Sequence, residues 1–552
     1  MLDIQKKLSK PFLALLALPA TAVGFALSTQ IAALSWILSN KYGLKIDEVA
    51  FVWLAGPVAG IFGQVIVGLI SDNVWFMGGR RRPFIMIGGM VSTIAFFALP
   101  HIRGISHITG ISDIVIIASV IALFLDLSVN VTFNPARSII ADLTPEGKIR
   151  TSGYVWMQII SGSFGVLAYF LSMLFGNVAL LNIAAILVLA LAVVPILFIE
   201  EKKDEQKKDI KTKKKGQALK KTLYTLGGLV VIIILNKIHL GLYTNIAAVI
   251  LALIYFTYDI VKHPEKYKEV FEIIKTIFPL YGFLTFGLFS LFNHFIPALN
   301  PLHNPILIAA LIYSVAIGIY LIIKGMKDKS NQNEFHKIMI AHSFTWVAFQ
   351  SMFILSGFFI ENKILSNLDI NHIFANWFAK TLTGAQQTSD SSVGNIVSLG
   401  FLILNFMGAV FPIFLQSLAK RIGRVKTYIG ALVFSVLGYF YIAFLGKVEM
   451  DFYIGMTLAG IGWSAVISIV FAIMSERVNP AKMGLYMGVF NLAVVLPQMM
   501  SNGVANVIKQ TGNYNILYIA CGLFIATSIV FWIFVREPEA SENKQTVPSG
   551  GH

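Results

Sequence analysis

Apolar runs, each close to the length a helix needs to cross a bilayer, alternate along the chain with short polar segments rich in Lys and Arg. A helix spans roughly 30 Å of hydrocarbon with about 20 residues at about 1.5 Å each, and sixteen segments are candidates by that criterion. Six lie near 12–38, 50–70, 84–100, 114–134, 153–175 and 178–199, and six near 339–360, 393–418, 427–446, 452–474, 485–507 and 514–535. Between the two sets are a basic linker and four more apolar runs, near 222–236, 241–261, 277–297 and 305–323, the first short enough to lie at the interface. The pattern predicts an all-α integral membrane protein. Its expected parts are an N-terminal six-helix bundle over 1–200, a linker with inserted hydrophobic helices over 201–338, a C-terminal six-helix bundle over 339–537 and a disordered tail over 538–552.

Lys6, Lys7 and Lys10 before an apolar run with Ala20-Thr21-Ala22 imitate a secretory signal. The apolar stretch continues to Leu38, however, and reads as an uncleaved first span. Of the 552 residues, 56% are hydrophobic and 13% charged, too apolar for an ordinary soluble fold. The net charge of +15 does not imply nucleic acid, because Lys and Arg sit in loops where positive-inside topology accounts for them. Residues 202–221 hold ten Lys against three acids, with more Lys at 262–275 and 324–337. Four crossings by the insert put these clusters, both termini and the loops at Arg80 to Arg82, Lys148 and Lys420 on the cytoplasmic side of a plasma or inner membrane. The lone Cys521 excludes an intramolecular disulfide or a multi-Cys metal site.

The two sets of six repeat each other. Ser71-Asp72 and Gly79-Arg80-Arg81-Arg82 follow the second span, while Ala419-Lys420-Arg421-Ile422-Gly423-Arg424 follows the eighth core span without the Asp. Asp142, Pro145 and Lys148 are echoed by Glu476, Pro480 and Lys482. Polar groups in lipid are costly, about 2.5 to 3.5 kcal/mol for a central charge, so those present should face a cavity. Gln64 in the second span, Asp126 and Asn130 in the fourth, and Asn395 and Asn405 in the eighth stand out against the third, sixth, ninth and twelfth, which have almost none. Asp126, Asn130 and Arg137 share one helix face, and about 16 Å of helix rise separates Asp126 from Arg137, so each must find another partner. In the eleventh span Asn491, Gln498 and Asn502 form a similar stripe. Amides bind sugar hydroxyls but equally glue helices together, and Trp346 and Trp463 suit either sugar stacking or plain packing.

Gly56-Pro57, Gly60, Gln64, Gly68, Ser71-Asp72 and Gly79-Arg80-Arg81-Arg82-Pro83-Phe84 resemble the second-span signature of the sucrose-transporter group, among the glycoside and cation symporters of the major facilitator superfamily. Asp126, Asn130, Pro135, Arg137 and Asp142, and the stretch from Gly488 to Gln498, are similar to the same group's fourth- and eleventh-span patterns. The resemblance covers both sets of six and omits 200–338. It implies a major facilitator fold of two six-helix bundles, here with an extra insert, and proton-coupled uptake of sucrose, maltose or related glucosides. Asp126 would carry the proton and Arg137 would tune it or grip sugar hydroxyls; His342, Gln350 and Asn395 match more loosely.

The resulting expectation is a symporter of a disaccharide or related glycoside coupled to protons, with sodium as the alternative coupling ion, embedded in the lipid bilayer, functional as a monomer and without a cofactor. Desolvation disfavours a carboxylate's charged form, so Asp126 could load and release a proton as each side opens. Gln64, Asn130, Arg137, Trp346, Gln350, Asn395, Trp463, Asn491 and Gln498 are the candidate substrate contacts. Asp72, Arg80, Arg81, Arg82 and Asp142 are a candidate cytoplasmic gate, the simpler reading of the arginines being topology anchoring. The alternatives are an exporter of another small solute on the same fold and a non-transporting sugar receptor. An enzyme is not expected, for there is no phosphate-cradling Gly loop or nucleophile motif, and His336 and His342 do not have zinc-signature spacing.

Overall fold

The computed structural model describes residues 8–60, 75–145, 148–201, 262, 271–367, 373–383, 389–478 and 483–537. Their regular structure is helical, and among them eleven helices are long and apolar enough to cross a membrane. Gln64 and Asp72, the apolar runs at 222–236 and 241–261, and the tail at 538–552 lie outside the described residues. The chain divides into two compact units, Met1–Phe278 and Pro279–His552.

In the first unit the long helices are α1 (Lys10–Trp36), α2 (Arg82–Ala98), α3 (Ile114–Leu143), α4 (Lys148–Phe175) and α5 (Asn177–Phe198). α1 starts with a proline in its first turn, where the missing N–H costs nothing. α3 is capped by Asp113, whose carboxylate accepts from the amides of Val115 and Ile116 at 2.8 and 3.3 Å. α1 packs on α4 and α5, and α2 packs on α3 and α5. Small residues permit the second of these approaches: a Cβ on Gly88 would come within 2.8 Å of the Ser128 carbonyl. The Ser92 and Ser128 hydroxyls bond each other at 2.6 Å.

The second unit contains α6 (Tyr281–Phe295), α7 (His303–Lys327), α8 (Asn331–Phe359), the short α9 (Phe374–Thr383), α10 (Ser389–Val410), α11 (Arg424–Leu445), α12 (Glu449–Ser468), α13 (Met483–Gln498), α14 (Ser501–Thr511) and α15 (Ile516–Ile533). Its packing repeats that of the first unit. α8 contacts α13 and α15 as α1 contacts α4 and α5, and α11 contacts α12 and α15 as α2 contacts α3 and α5.

One core span is split for a chemical reason. Pro497 has no N–H to give to the Ala493 carbonyl one turn back; the Ser343 hydroxyl of α8, which donates to the Met339 carbonyl at 2.8 Å, also reaches that oxygen at 3.3 Å. The chain then turns through Met499 and Met500 before α14 begins, so neither α13 nor α14 reaches membrane-crossing length alone.

The helices that precede α8 are built into the second unit. α6 and α7 pack on each other, and α7 packs on α8. The Phe283 ring meets Phe344 edge-on at 5.6 Å, and α8 is consequently almost wholly buried. His303 at the head of α7 bonds the side chains of Asn502 and Asn506 on α14 at 3.2 and 2.9 Å. Asn502, one of the amides in the eleventh-span stripe, therefore joins helices. α7 is long enough to cross a membrane, whereas α6 has 15 residues.

Candidate functional site

Asp126 sits near the middle of α3 and is 7% exposed. Its partner is an amide on α1: Gln30 Nε2 donates to Oδ1 at 3.1 Å and to Oδ2 at 3.0 Å. A Cβ at Gly56 would lie 3.5 Å from Oδ2, so that backbone flanks the carboxylate closely. Among the described residues Asp126 forms no ion pair. Asn130, one turn on, folds back to donate to the Asp126 carbonyl at 2.8 Å. Arg137 lies over the Phe133 ring, 3.9 Å from its centroid. The three residues spaced along one helix face thus have separate partners.

In the second unit the two candidate tryptophans meet. The Trp346 and Trp463 rings are 5.7 Å apart and nearly perpendicular, and Trp463 also touches Phe349 and Phe353 at 5.1 and 5.4 Å. Trp346 Nε1 donates to His342 Nε2 at 2.8 Å, which fixes the indole and requires that nitrogen to be an acceptor. His342 stacks on Phe490 of α13 at 5.2 Å. Gln350 follows Trp346 by one helical turn. Among the described residues, the side-chain amides of Gln350, Asn491 and Gln498 form no hydrogen bond with the protein, which leaves their donors and acceptors for a ligand or water. Asn395 differs: it is buried and donates to Asn376 Oδ1 at 3.0 Å, tying α10 to α9.

The basic loops form a matched pair of clamps, one within each unit. In the first, Arg80 and Arg81 pair with Asp142 at 2.8 and 3.1 Å, and Arg82 Nε donates to the Ile196 carbonyl at 3.1 Å. Glu201 accepts the backbone amides of Arg80, Arg81 and Arg82 at 2.9, 3.0 and 2.8 Å. This puts a carboxylate on the electropositive start of α2. In the second, Arg424 forms a two-pronged pair with Glu476 at 2.5 and 2.7 Å, and Glu537 accepts the amides of Arg424 and Val425 at 2.9 and 2.8 Å. Glu201 and Glu537 escaped the motif reading. They become visible when Phe198-Ile199-Glu200-Glu201 is set beside Phe534-Val535-Arg536-Glu537.

The hydrogen bonds and charge of Arg424 hold the Glu476 carboxyl below the usual glutamate range. A depressed carboxyl contributes stability that is full above its unfolded value and is lost as pH falls through the folded one. The melting temperature of a Glu476→Gln variant should therefore lie below that of the parent at neutral pH. The gap should narrow only once the pH drops beneath the ordinary glutamate range, as thermal scans from pH 7 to pH 3 in detergent would show.

An all-helical chain with paired units, repeated clamps and ionisable groups buried in membrane-length helices defines a polytopic membrane transport protein. The Major Facilitator Superfamily model matches residues 16–368 and 345–550, and the chain belongs to that family. It is 30% identical over 174 residues to a sucrose transport protein of Arabidopsis thaliana, covering 30% of this chain and 34% of the relative. It is 30% identical over 138 residues to the general alpha-glucoside permease of Schizosaccharomyces pombe, covering 24% and 25%. These matches span about a third and a quarter of the relatives' lengths. Among solved structures, a POT family transporter in complex with 5-aminolevulinic acid aligns with a TM-score of 0.59 at 14% identity, covering 95% of this chain and 96% of the other. A structure of the nucleoside transporter NupG aligns with a TM-score of 0.57 at 11% identity, covering 95% and 100%. At these identities the structural likeness establishes the fold. The protein is thus a multi-pass membrane transporter of this superfamily, not an enzyme, with distant similarity to sucrose and alpha-glucoside carriers.

Proposed function

We propose that the protein is a proton-coupled symporter of a disaccharide or related glycoside, of the maltose or sucrose type, working by alternating access. The observation that carries this reading is Asp126, a carboxylate buried at mid-helix whose partner among the described residues is a neutral amide and not a cation. A structural carboxylate in lipid normally has a counter-charge, whereas a group that must gain and lose a proton is better served without one. The second unit supplies chemistry suited to a sugar: the adjoining Trp346 and Trp463 rings offer apolar faces for pyranose C–H surfaces. Gln350, Asn491 and Gln498 offer uncommitted amides for hydroxyls. The partial similarity to a sucrose transport protein and an alpha-glucoside permease supports the same substrate class. In this reading both termini and the clamp-bearing ends face the cytoplasm of a cell membrane, and one chain suffices for transport. The clamps gate the cytoplasmic side, with Asp72 joining Arg80, Arg81, Arg82 and Asp142.

The test is uptake of radiolabelled sucrose, maltose, trehalose and glucose into proteoliposomes under an inward proton gradient, an inward sodium gradient, or neither. Accumulation of one or more disaccharides driven by protons alone is the expected result. Accumulation driven only by sodium, binding without flux, or no interaction with any glycoside would each overturn the proposal.

A further inference from the structure

The amide opposite Asp126 does more than fill space. Gln30 and Asp126 are 2% and 7% exposed, and one nitrogen of Gln30 reaches both carboxylate oxygens. A charged carboxylate accepts hydrogen bonds only, and Gln30 meets that need with its N–H groups. Once the carboxyl takes up a proton, one of its oxygens becomes a donor and requires an acceptor. The carboxamide supplies this from its own Oε1, which accepts no hydrogen bond from a described residue. A half-turn about the last side-chain torsion exchanges the two roles without moving either backbone. Of the common side chains of this length, Lys can only donate, ionised Glu can only accept, and Met can do neither to any useful extent.

The surroundings leave this task to Gln30. The charged residues on the described elements packed against α3 stand at or near element ends: Lys10 on α1, Asp47 and Glu48 on Ile46–Val52, Arg82 on α2, Arg103 and His107 on Ile102–Thr109, and Lys148 and Arg150 at the start of α4. On α3 itself, Arg137 is eleven residues away and lies on Phe133, and Asp142 near the helix end pairs with Arg80 and Arg81. Among the described residues, none of these pairs with Asp126.

We propose that Gln30 is a positioning residue for proton coupling: its reversible amide keeps the Asp126 carboxyl hydrogen-bonded in both protonation states, so that the proton can be exchanged without the carboxyl leaving its place between α1 and α3. The inference rests on the symport reading above and adds to it the residue that tunes the carrier. Replacing Gln30 with Met keeps the length and removes the donor to the charged form. The neutral form loses its bond as well, but the bond to the charged form is the stronger of the two, so the charged form is disfavoured and the pH at which proton-driven uptake is half-maximal should rise by about one unit, the difference between a charged and a neutral hydrogen bond.

The experiment measures initial sugar uptake against pH in proteoliposomes for the full-length protein, Gln30→Met and Gln30→Glu, each checked for its melting temperature. Gln30→Glu preserves shape and places a second carboxyl beside the first, so its profile should gain a second titration step; it carries the test alone if the Met variant does not fold. A raised midpoint in Gln30→Met, or a second step in Gln30→Glu, supports the proposal. Variant profiles that superimpose on the parent's after scaling, whether rates fall or not, reduce Gln30 to a packing residue and overturn the inference while leaving the symport reading intact. A parent protein with no pH-dependent uptake removes the symport reading, and this inference with it.

Discussion

Proteoliposomes containing Asp126→Asn should equilibrate sugar across the membrane but not concentrate it. One proton moving through about 100 mV supplies about 2.3 kcal/mol, or about fifty-fold accumulation. Without a group that titrates, that ratio should fall to about one. Asn is nearly isosteric with Asp, and a rotated Gln30 amide can still bond it, so helix packing around residue 126 should survive. Exchange of internal for external labelled sugar, which needs no net proton movement, should continue. Measuring both quantities on one preparation separates a coupling defect from misfolding. Undiminished proton-driven accumulation would remove Asp126 from the coupling role.

The second large effect is on folding. A Cβ at Gly438 of α11 would lie 2.5 Å from the Gly455 carbonyl oxygen and 3.1 Å from the Ala459 amide nitrogen of α12. Both neighbours are backbone and cannot rotate aside, so Gly438→Leu must push two packed helices apart. The expected loss is about 3 kcal/mol, toward the upper end for overpacking, and should appear as a sharp fall in melting temperature and in the monodisperse yield from detergent. Gly430 is on the same helix with nothing near the position its Cβ would take. Gly430→Ala should leave the melting temperature unchanged or slightly raised, because alanine is the better helix former. Equal damage from the two substitutions would contradict the close α11–α12 approach.

The architecture was legible because lipid imposes a length on each helix, and because the duplicated basic loops mark two comparable halves. The site was less so. Asp126 announces itself as a charge in an apolar run, but Gln30, the one side-chain amide of α1, carries no motif. Which tryptophans meet depends on how α8 packs near α12, and no spacing within either helix contains that information. Trp346 and Trp463 could therefore be picked out as residue types but not as a pair. Asn395 and Asn502 show the converse ambiguity. As buried amides they look like ligand contacts, yet each bonds another helix, to Asn376 and His303, and sequence alone does not distinguish an amide that grips sugar from one that grips protein. Glu201 and Glu537 lie just beyond the last apolar residues of their spans, where a carboxylate reads as ordinary solvated charge until the helix it caps is known.

The Ser343 hydroxyl, shared between the Met339 carbonyl of its own helix and the Ala493 carbonyl, limits where the split span can articulate. Straightening or bending the chain at Pro497 so far that the hydroxyl let go would strand an oxygen among hydrocarbon, at a cost of about 1 to 3 kcal/mol. The stretch before the proline is thus laced to α8, and the two should swing as one lever. Freedom is left to the two methionines at 499 and 500, where α14 starts. A carrier cycle acting through this unit would concentrate its bending in that short step, with the shaft below it staying stiff.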